Sequence, residues 1–120
     1  MVEARNVNVA EALELLQAGA FLLDVRENNE WESGRAANAT HIPLSDVPDQ
    51  LADLPGDRLI VCVCRSGARS GRATKFLVEQ GRDAVNLEGG MLAWSAEGAP
   101  IVGDIDDRGR FPGPMALASL

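Results

Sequence analysis

One run of residues constrains the fold of this chain more than any other feature. It is Leu59-Ile60-Val61-Cys62-Val63, the most apolar and β-branched stretch in the sequence. Such a run is typical of a central strand in a parallel sheet, which is buried on both faces. A short apolar run over residues 21–25 predicts another buried strand, and Ala84–Leu87 predicts a third. We therefore predict a sheet with residues 59–63 at its middle.

Segments with helical spacing separate the predicted strands. Asn8, with Glu11 three residues later, predicts the capped start of a first helix, which Gly19 ends. Further helices are predicted from Ser45 to the Pro55-Gly56 pair, from the end of the 64–70 segment to Gly81, and over Met91–Ala96. Residues 26–42 lack a clear period, so we expect a long loop there, with Trp31 and a brief strand.

The alternation of strands and helices over about a hundred residues predicts a three-layer α/β domain with a mainly parallel sheet. Ligands of such sheets bind beyond the carboxyl ends of the strands. This rule selects the loops after Val25, Val63 and Leu87. We assign the domain to residues 1–102 and a Gly- and Pro-rich tail to residues 103–120. Two interpretations of the tail stay open: a flexible end, or a strap that docks on a second subunit and forms an oligomer.

Charge and apolar content exclude two classes of partner. The 120 residues carry a formal net charge of −7, whereas binding to nucleic acid or to an anionic membrane needs a basic face. No stretch approaches the roughly 18 consecutive apolar residues of a membrane span, and the N-terminal segment does not form an apolar signal core. We expect a soluble, cytoplasmic protein that binds neither nucleic acid nor membrane.

Few residues are available for a metal site or a disulfide framework. The two cysteines, Cys62 and Cys64, are one residue apart, and His41 is the single histidine. A structural zinc site needs four ligands, and so short a disulfide would be strained. We therefore expect no metal and no cofactor. Cys62 is interpreted as a small buried hydrophobe, with a Cys62–Cys64 redox pair as the alternative.

The segment between the predicted central strand and the next helix carries the candidate chemistry. It reads Cys64-Arg65-Ser66-Gly67-Ala68-Arg69-Ser70. A loop of this length with glycine at its middle can turn successive backbone N–H groups inward and form an anion-binding nest at a helix N-terminus. Cys64 would lie at the floor of this nest. There the N–H groups, the helix dipole and two guanidinium groups favour the thiolate and lower its pKa.

A thiolate that ionises without a partner base limits what the loop can attack. Since His41 is the only histidine, the chain offers almost no base for a serine-hydrolase or papain-like mechanism. The substrate must therefore be anionic and must lose its leaving group without an acid. A sulfane sulfur donor such as thiosulfate fits both conditions, because sulfite leaves readily and its oxygens match a ring of N–H donors.

The charged residues around this loop receive separate roles. Arg69 closes the loop and is the candidate clamp for the anion, whereas Arg65 is the candidate rim residue that meets the substrate. Asp24 and Arg26 lie at the carboxyl end of a neighbouring predicted strand, where an ion pair would brace the loop. We interpret that pair as structural rather than chemical.

The 64–70 loop resembles the active-site loop of the rhodanese family, in the form common in single-domain members. The resemblance extends over residues 6–102 and includes further motifs in the family's order. These are Leu23-Asp24-Val25-Arg26, Glu30-Trp31 with Gly34, Ile42-Pro43-Leu44, and Gly89-Gly90-Met91-Leu92-Ala93-Trp94. The resemblance implies a three-layer domain with a mainly parallel, five-stranded central sheet flanked by helices.

The same resemblance implies an activity, partners and site residues. Members transfer sulfur from a donor to a thiophilic acceptor through a persulfide on the loop cysteine, which here is Cys64. The implied partners are a small anionic sulfur donor, a cyanide or thiol acceptor, and a protein that accepts sulfur. The residues that would hold the anion are Arg65, Ser66, Gly67, Ala68, Arg69 and Ser70.

One segment departs from the family's pattern. Similar proteins usually carry Gly-His followed by Ile-Pro-Gly-Ala. Here Gly34 is followed by Arg35-Ala36-Ala37-Asn38-Ala39. The resemblance therefore does not describe the path of the 35–39 loop.

Two other classes of function stay open at this point. A module that only carries a persulfide to a protein partner, or that senses redox state, needs the same thiolate. Cysteine phosphatases and arsenate reductases use a similar nest, with five residues between cysteine and arginine. Here the sixth position after Cys64 is Ser70 and Arg69 comes one residue early, which favours a sulfur atom over a tetrahedral phosphate.

Overall fold

A five-stranded sheet forms the centre of the structure, a computed structural model that describes residues 3–103. In chain order the strands are β1 (Asn6–Val7), β2 (Phe21–Asp24), β3 (Arg35–Ala36), β4 (Thr40–His41), β5 (Ile60–Val63), β6 (Ala84–Leu87) and β7 (Ile101–Val102). The central sheet has the order β1-β6-β5-β2-β4, and every neighbouring pair in it is parallel. The prediction that residues 59–63 supply the middle strand is confirmed.

Helices cover both faces of this sheet. Within residues 3–103 they are α1 (Val9–Gln17), α2 (Asn28–Ser33), α3 (Ala68–Glu79), α4 (Gly90–Ala96) and two 3₁₀ helices, Leu44–Asp46 and Leu51–Asp53. Buried side chains of α1 and α4 form one apolar core with the sheet, whereas α3 and the segment of the 3₁₀ helices form a second core on the opposite face. The predicted three-layer α/β architecture is confirmed.

The residues of β5 alternate between these two cores. Val61 and Val63 pack on the side of α1 and α4, whereas Ile60 and Cys62 pack on the side of α3. All four residues are 0% exposed. Burial on both faces explains why this strand needs a continuous apolar run. Cys64, two residues after Cys62, also belongs to the α3 side.

The start of α1 is fixed by the predicted cap. The backbone N–H of Glu11 donates to Asn8 Oδ1 at 2.8 Å, and the backbone N–H of Asn8 donates to Glu11 Oε1 at 2.9 Å. This reciprocal pair satisfies two backbone donors that a helix leaves open at its N-terminus. The first turn is thereby held next to β1, whose Val7 is buried.

The prediction of a helix from Ser45 to Leu54 is wrong. The segment contains the two 3₁₀ helices instead, with most backbone hydrogen bonds closing over three residues, as from Leu54 N to Leu51 O at 3.1 Å. Pro48 lies between them and has no N–H to donate to the carbonyl four residues earlier. The apolar spacing nevertheless placed the side chains correctly, since Val47 and Leu54 are both buried.

The prediction of a long loop over residues 26–42 is also incomplete. Its first part is the six-residue helix α2, which begins with a reciprocal pair between Glu27 and Glu30. No residue of α2 is buried, so the helix leaves no apolar period in the sequence. The second part contains β3 and β4, and the brief strand expected here is thus two strands.

The atypical 35–39 loop has a defined path. β3 pairs antiparallel with β7, with Arg35 opposite Val102 and Ala36 opposite Ile101. The chain then turns at Asn38, whose φ of 66° lies in the left-handed region that asparagine adopts more readily than most residues. An asparagine therefore serves where the family pattern has glycine.

Two further sequence-based expectations concern the C-terminal tail and membrane-spanning segments. The predicted tail lies outside the described residues except for Gly103. Among residues 3–103, no helix has the length and apolar character that crossing a membrane requires.

Candidate active site

Cys64 follows β5 directly, at the edge of the sheet where the predicted loops meet. The N-terminus of α4, which follows β6, contacts the Cys64 loop through two backbone hydrogen bonds. Met91 N donates to Cys64 O at 2.8 Å, and Leu92 N donates to Arg65 O at 3.1 Å. A trans peptide points its N–H opposite to its C=O, so the N–H groups after these carbonyls are directed away from α4. The helix thus orients the first two peptides of the loop.

This contact requires glycine at position 90. Gly90 has a φ of 57°, and a Cβ added there would overlap the backbone of Cys64 and Arg65. Only a residue without a side chain lets α4 approach the loop this closely. The Gly89-Gly90 pair of the late motif therefore shapes the Cys64 loop as well as the turn into α4.

The sulfur of Cys64 receives hydrogen bonds from its own loop. The backbone N–H of Gly67 donates to Sγ at 3.1 Å, and the Ser70 hydroxyl lies 3.3 Å from Sγ. Gly67 has a φ of 110°, which turns the chain into α3 at Ala68. Sγ is therefore close to the N-terminus of a 12-residue helix, where an anion is favoured. The predicted nest of inward N–H groups is present, and Cys64 is only 1% exposed.

The pKa of the Cys64 thiol lies below its ordinary value because hydrogen bonds to sulfur outweigh burial. Burial is the largest single influence and raises the pKa. Against it act the Ser70 hydroxyl and the backbone N–H groups of Ser70, Gly67 and Ser66, which lower it. The sequence also assigned part of this effect to guanidinium groups, but the leading causes are these hydrogen bonds.

Cys62 has the opposite environment. It is 0% exposed, and burial first, with the nearby Cys64 as a smaller contribution, raises the pKa of its thiol to about 12. Both cysteines are free thiols in this structure. A neutral, fully buried thiol is a small apolar group, which agrees with the interpretation of Cys62 as a packing residue.

Arg69, the candidate anion clamp, forms a two-pronged ion pair with Glu30 of α2. Its Nη1 and Nη2 atoms lie 2.7 and 2.9 Å from the two carboxylate oxygens. Hydrogen bonding to Glu30 is the first cause that raises the pKa of Arg69, and the negative charge of Cys64 also contributes. The guanidinium of Arg69 is therefore hydrogen-bonded to Glu30 and also interacts electrostatically with the charge of Cys64.

The other loop residues differ in exposure. Arg65, Ser66 and Ala68 are exposed, whereas Gly67 is half-buried and Ser70 is fully buried. An exposed Arg65 agrees with the predicted position at the rim. Ser70 lies inside, next to the sulfur.

The predicted ion pair of Asp24 and Arg26 is present and buried. Arg26 Nη2 lies 2.8 Å from Asp24 Oδ2, and Arg26 Nη2 also donates to Gly34 O at 2.6 Å. The two residues are 0% and 4% exposed. The pair ties the end of β2 to the end of α2 and so holds the element that carries Glu30. This agrees with a structural role.

His41 is positioned by contacts with Arg26 and Trp31. Its Nε2 lies 2.7 Å from Arg26 O, and since a carbonyl only accepts, Nε2 carries the proton. Its ring stacks on Trp31, with the centroids 4.8 Å apart. Within residues 3–103, no group of three or more His, Cys, Asp or Glu side chains is placed to hold a metal ion.

Sequence reasoning did not find every residue of the site. It assigned no role to Asn86, which lies 2.5 Å from the Ser70 hydroxyl, nor to Glu30 as the partner of Arg69. Asn86 had a signal, since it is the polar residue in the otherwise apolar strand Ala84–Leu87. Glu30 belongs to a motif of the family resemblance, but nothing in the sequence pointed to its partner Arg69, which is 39 residues away.

Comparison with known proteins agrees with this geometry. Residues 8–97 match the family described as the rhodanese-like domain. The chain is 40% identical over 101 residues to the putative sulfurtransferase YtwF of Bacillus subtilis, a match that covers 82% of this chain and 98% of YtwF. It is 29% identical over 94 residues to the thiosulfate sulfurtransferase GlpE of Pseudoalteromonas translucida, which covers 77% of this chain and 90% of that protein.

A solved structure shows the same fold at similar extent. It is the rhodanese-related protein of Thermoplasma volcanium, with a TM-score of 0.77 and 37% identity over 82% of this chain and 97% of that one. With the loop geometry and the family match in agreement, the chain belongs to the rhodanese-like domain family.

Proposed function

We propose that this chain is a sulfurtransferase that takes a sulfane sulfur from a small anionic donor such as thiosulfate and passes it to a thiophilic acceptor through a persulfide on Cys64. The single observation that carries the proposal is the set of hydrogen bonds that converge on Cys64 Sγ. They lower the pKa of the Cys64 thiol and so favour the thiolate without a partner base. Relatives named sulfurtransferase, including YtwF, support sulfur transfer in general.

The first half of the reaction needs only a thiolate and a place for an anion. The Cys64 thiolate attacks the outer sulfur of thiosulfate, and the sulfur–sulfur bond of the donor breaks with its electron pair leaving on sulfite. The product is a persulfide whose negative charge lies on the transferred sulfur. Sulfite leaves without protonation, so this step needs no general acid. The single histidine of the chain, His41, is hydrogen-bonded through Nε2 to Arg26 O.

The second half returns the enzyme to its starting state. An acceptor such as cyanide attacks the outer sulfur of the persulfide, and the bond to Cys64 Sγ breaks. Thiocyanate leaves and the thiolate is regenerated, so charge and atoms balance over the cycle. A thiol acceptor reacts in the same way and becomes a persulfide itself.

Mass analysis tests the proposal directly. Protein treated with thiosulfate should gain one sulfur atom in its intact mass, and cyanide or dithiothreitol should remove it. Cys64→Ser should abolish the gain. Cys62→Ser is the matched control and should retain it, because Cys62 is a neutral, fully buried thiol. Equal loss in both variants would contradict the assignment of Cys64.

Turnover separates an enzyme from a carrier. A free-standing sulfurtransferase should convert thiosulfate and cyanide to sulfite and thiocyanate over many cycles. A carrier module should load only once, or only from a protein donor. We propose the enzyme, since relatives named sulfurtransferase match this chain over most of its length and most of their own.

A further inference from the structure

Asn86 places a buried amide beside the active-site loop. The residue is 6% exposed and lies in β6 among apolar neighbours. Its Nδ2 donates to Gly67 O at 3.1 Å and to Asn6 Oδ1 at 3.0 Å. Both amide protons thus form hydrogen bonds. If the amide were rotated by half a turn, Oδ1 would face the acceptors Gly67 O and Asn6 Oδ1 without a proton between them. Asn86 Oδ1 is therefore fixed toward Ser70.

Ser70 lies between two acceptors. Its Oγ is 3.3 Å from Cys64 Sγ on one side and 2.5 Å from Asn86 Oδ1 on the other, and the residue is 0% exposed. A hydroxyl has one proton and serves one acceptor at a time. The acceptor that does not receive the Ser70 proton then faces a lone pair of Oγ.

We propose that Asn86 is a positioning residue for the reaction. It accepts a hydrogen bond from the Ser70 hydroxyl whenever Cys64 Sγ carries no charge, and it thereby makes formation of the persulfide more favourable. The proposal deepens the sulfur-transfer function proposed above and rests on it. Asn86 acts through Ser70 and does not contact the sulfur itself in this structure.

The charge on Sγ decides where the Ser70 proton points. A thiolate is a stronger acceptor than an amide oxygen, so in the unloaded enzyme the Ser70 hydroxyl turns its proton to Sγ and Oγ moves away from Asn86 Oδ1, because two oxygens do not stay 2.5 Å apart without a proton between them. In the persulfide the charge has moved to the outer sulfur and Sγ is a weak acceptor, so the proton turns to Asn86 Oδ1. The proton stays on Ser70 throughout, and none is gained or lost. Asn86 thus disfavours the thiolate slightly and stabilises the loaded state.

Charged and titratable groups on the elements around Cys64 must be the same in all the variants that are compared with one another. They are Arg65 in the loop, Cys62 on β5, Arg69 on α3 with Glu30 on α2, and the Asp24–Arg26 pair after β2. Asn86, Asn6 and Ser70 are neutral. Substitutions among these three therefore change hydrogen bonding without changing the charge near the sulfur.

The rate of Cys64 alkylation as a function of pH tests the proposal, measured with iodoacetamide in the Cys62→Ser background. Asn86→Ala removes the competing acceptor, so the Ser70 proton is left to Sγ and the midpoint should move to lower pH. Well below the midpoint, alkylation should be roughly three- to tenfold faster. Asn86→Leu, of similar size, should do the same if the alanine variant fails to fold.

Two comparisons distinguish this role from a merely structural one. If Asn86 only supports Gly67 O, its loss loosens the nest and moves the midpoint to higher pH, which overturns the proposal. In a Ser70→Ala background, Asn86→Ala should have no effect on the midpoint, and a persisting effect also overturns it. Asn6→Ala is the matched control, since it removes a partner of Nδ2 but leaves Oδ1 in place.

Sulfur loading gives a second readout. At fixed thiosulfate and sulfite, the loaded fraction of Asn86→Ala should be lower than that of the unaltered protein, and an equal or higher fraction contradicts the proposal. If the unaltered protein takes up no sulfur, the proposed function fails. The alkylation experiment still decides then whether Asn86 and Ser70 control the thiol.

Discussion

The guanidinium of Arg69 and the carboxylate of Glu30 face each other as parallel forks, with Nη1–Oε1 and Nη2–Oε2 distances of 2.7 and 2.9 Å. This geometry satisfies both prongs of the guanidinium edge that would otherwise bind an anion. The pair also joins α2 to the start of α3. A donor anion that binds Arg69 must therefore compete with Glu30.

We predict that Glu30→Gln lowers the KM for thiosulfate, by roughly two- to fivefold, because the guanidinium is then shared less with its neighbour. Steady-state kinetics with thiosulfate and cyanide measure this. Glu32→Gln, an exposed residue on the same helix, is the matched control and should change nothing. Arg69→Ala should weaken turnover more than Arg65→Ala, and should cancel the gain from Glu30→Gln. A higher KM in Glu30→Gln would mean that Glu30 aligns Arg69 rather than competes for it.

The same carboxylate predicts a pH dependence of stability. Hydrogen bonding to Arg69, first, and to the Glu27 backbone lowers the pKa of Glu30 from 4.5 to about 2, against the opposing effect of burial. A lowered pKa in the folded state gives stability that is present above 4.5 and is lost as the pH falls toward 2. Because the pair is partly exposed, this contribution is less than about 1 kcal/mol. Urea unfolding should therefore show a shallower loss of stability in Glu30→Gln than in the unaltered protein over that pH range. Parallel curves would contradict the prediction.

Gly90→Ala should damage both stability and the reactivity of Cys64. The new Cβ meets the backbone of Cys64 and Arg65 and sits at a positive φ, so we expect a loss of at least about 2 kcal/mol. Displaced carbonyls would also turn the N–H groups that lower the pKa of Cys64, and alkylation should slow at neutral pH. Gly56→Ala, where an added Cβ meets nothing within 4 Å, is the control. Unchanged alkylation in a folded Gly90→Ala protein would show that α4 does not orient the loop.

Asp24→Asn should unfold the protein more easily without changing the thiol directly. It leaves the buried guanidinium of Arg26 without its counter-charge, and such losses cost about 3–5 kcal/mol. Denaturant titration measures the change, with exposed Asp49→Asn as the control. The pH midpoint of Cys64 alkylation should stay within error of the unaltered protein. A shifted midpoint with little loss of stability would assign the pair a chemical role.

Local features of the sequence were sufficient for the parts of the fold that depend on one segment at a time. The apolar run of β5, the Asn8 cap and the loop between β5 and α3 each carry their own signal. The segment from Ser45 to Leu54 shows the limit, since its side-chain spacing was interpreted correctly but its hydrogen bonding was not. Side-chain burial follows from apolar spacing, whereas the choice between 3₁₀ and α depends on each available N–H, and Pro48 has none.

Contacts between segments that are distant in the chain are the second feature that could not be predicted from the sequence. The nest around Cys64 could be predicted because all its donors lie within six residues of the sulfur. The partners of Arg69 and Ser70 could not, since Glu30 contacts Arg69 from α2 and Asn86 contacts Ser70 from β6. Both partners belong to elements that the sheet order brings to the same edge, and that order is known only from the fold.

The near-complete burial of Cys64 has a consequence for which molecules can reach the sulfur. A sulfur–sulfur bond is about 2 Å long, so the outer sulfur of a persulfide would lie about that much nearer the surface than Cys64 Sγ. In the proposed reaction the donor would therefore have to be narrow enough to reach Sγ, whereas the acceptor would meet the transferred sulfur nearer the surface, where larger molecules have access. If sulfur transfer proceeds as proposed, this one buried atom would make the protein selective for the sulfur donor and tolerant of different acceptors.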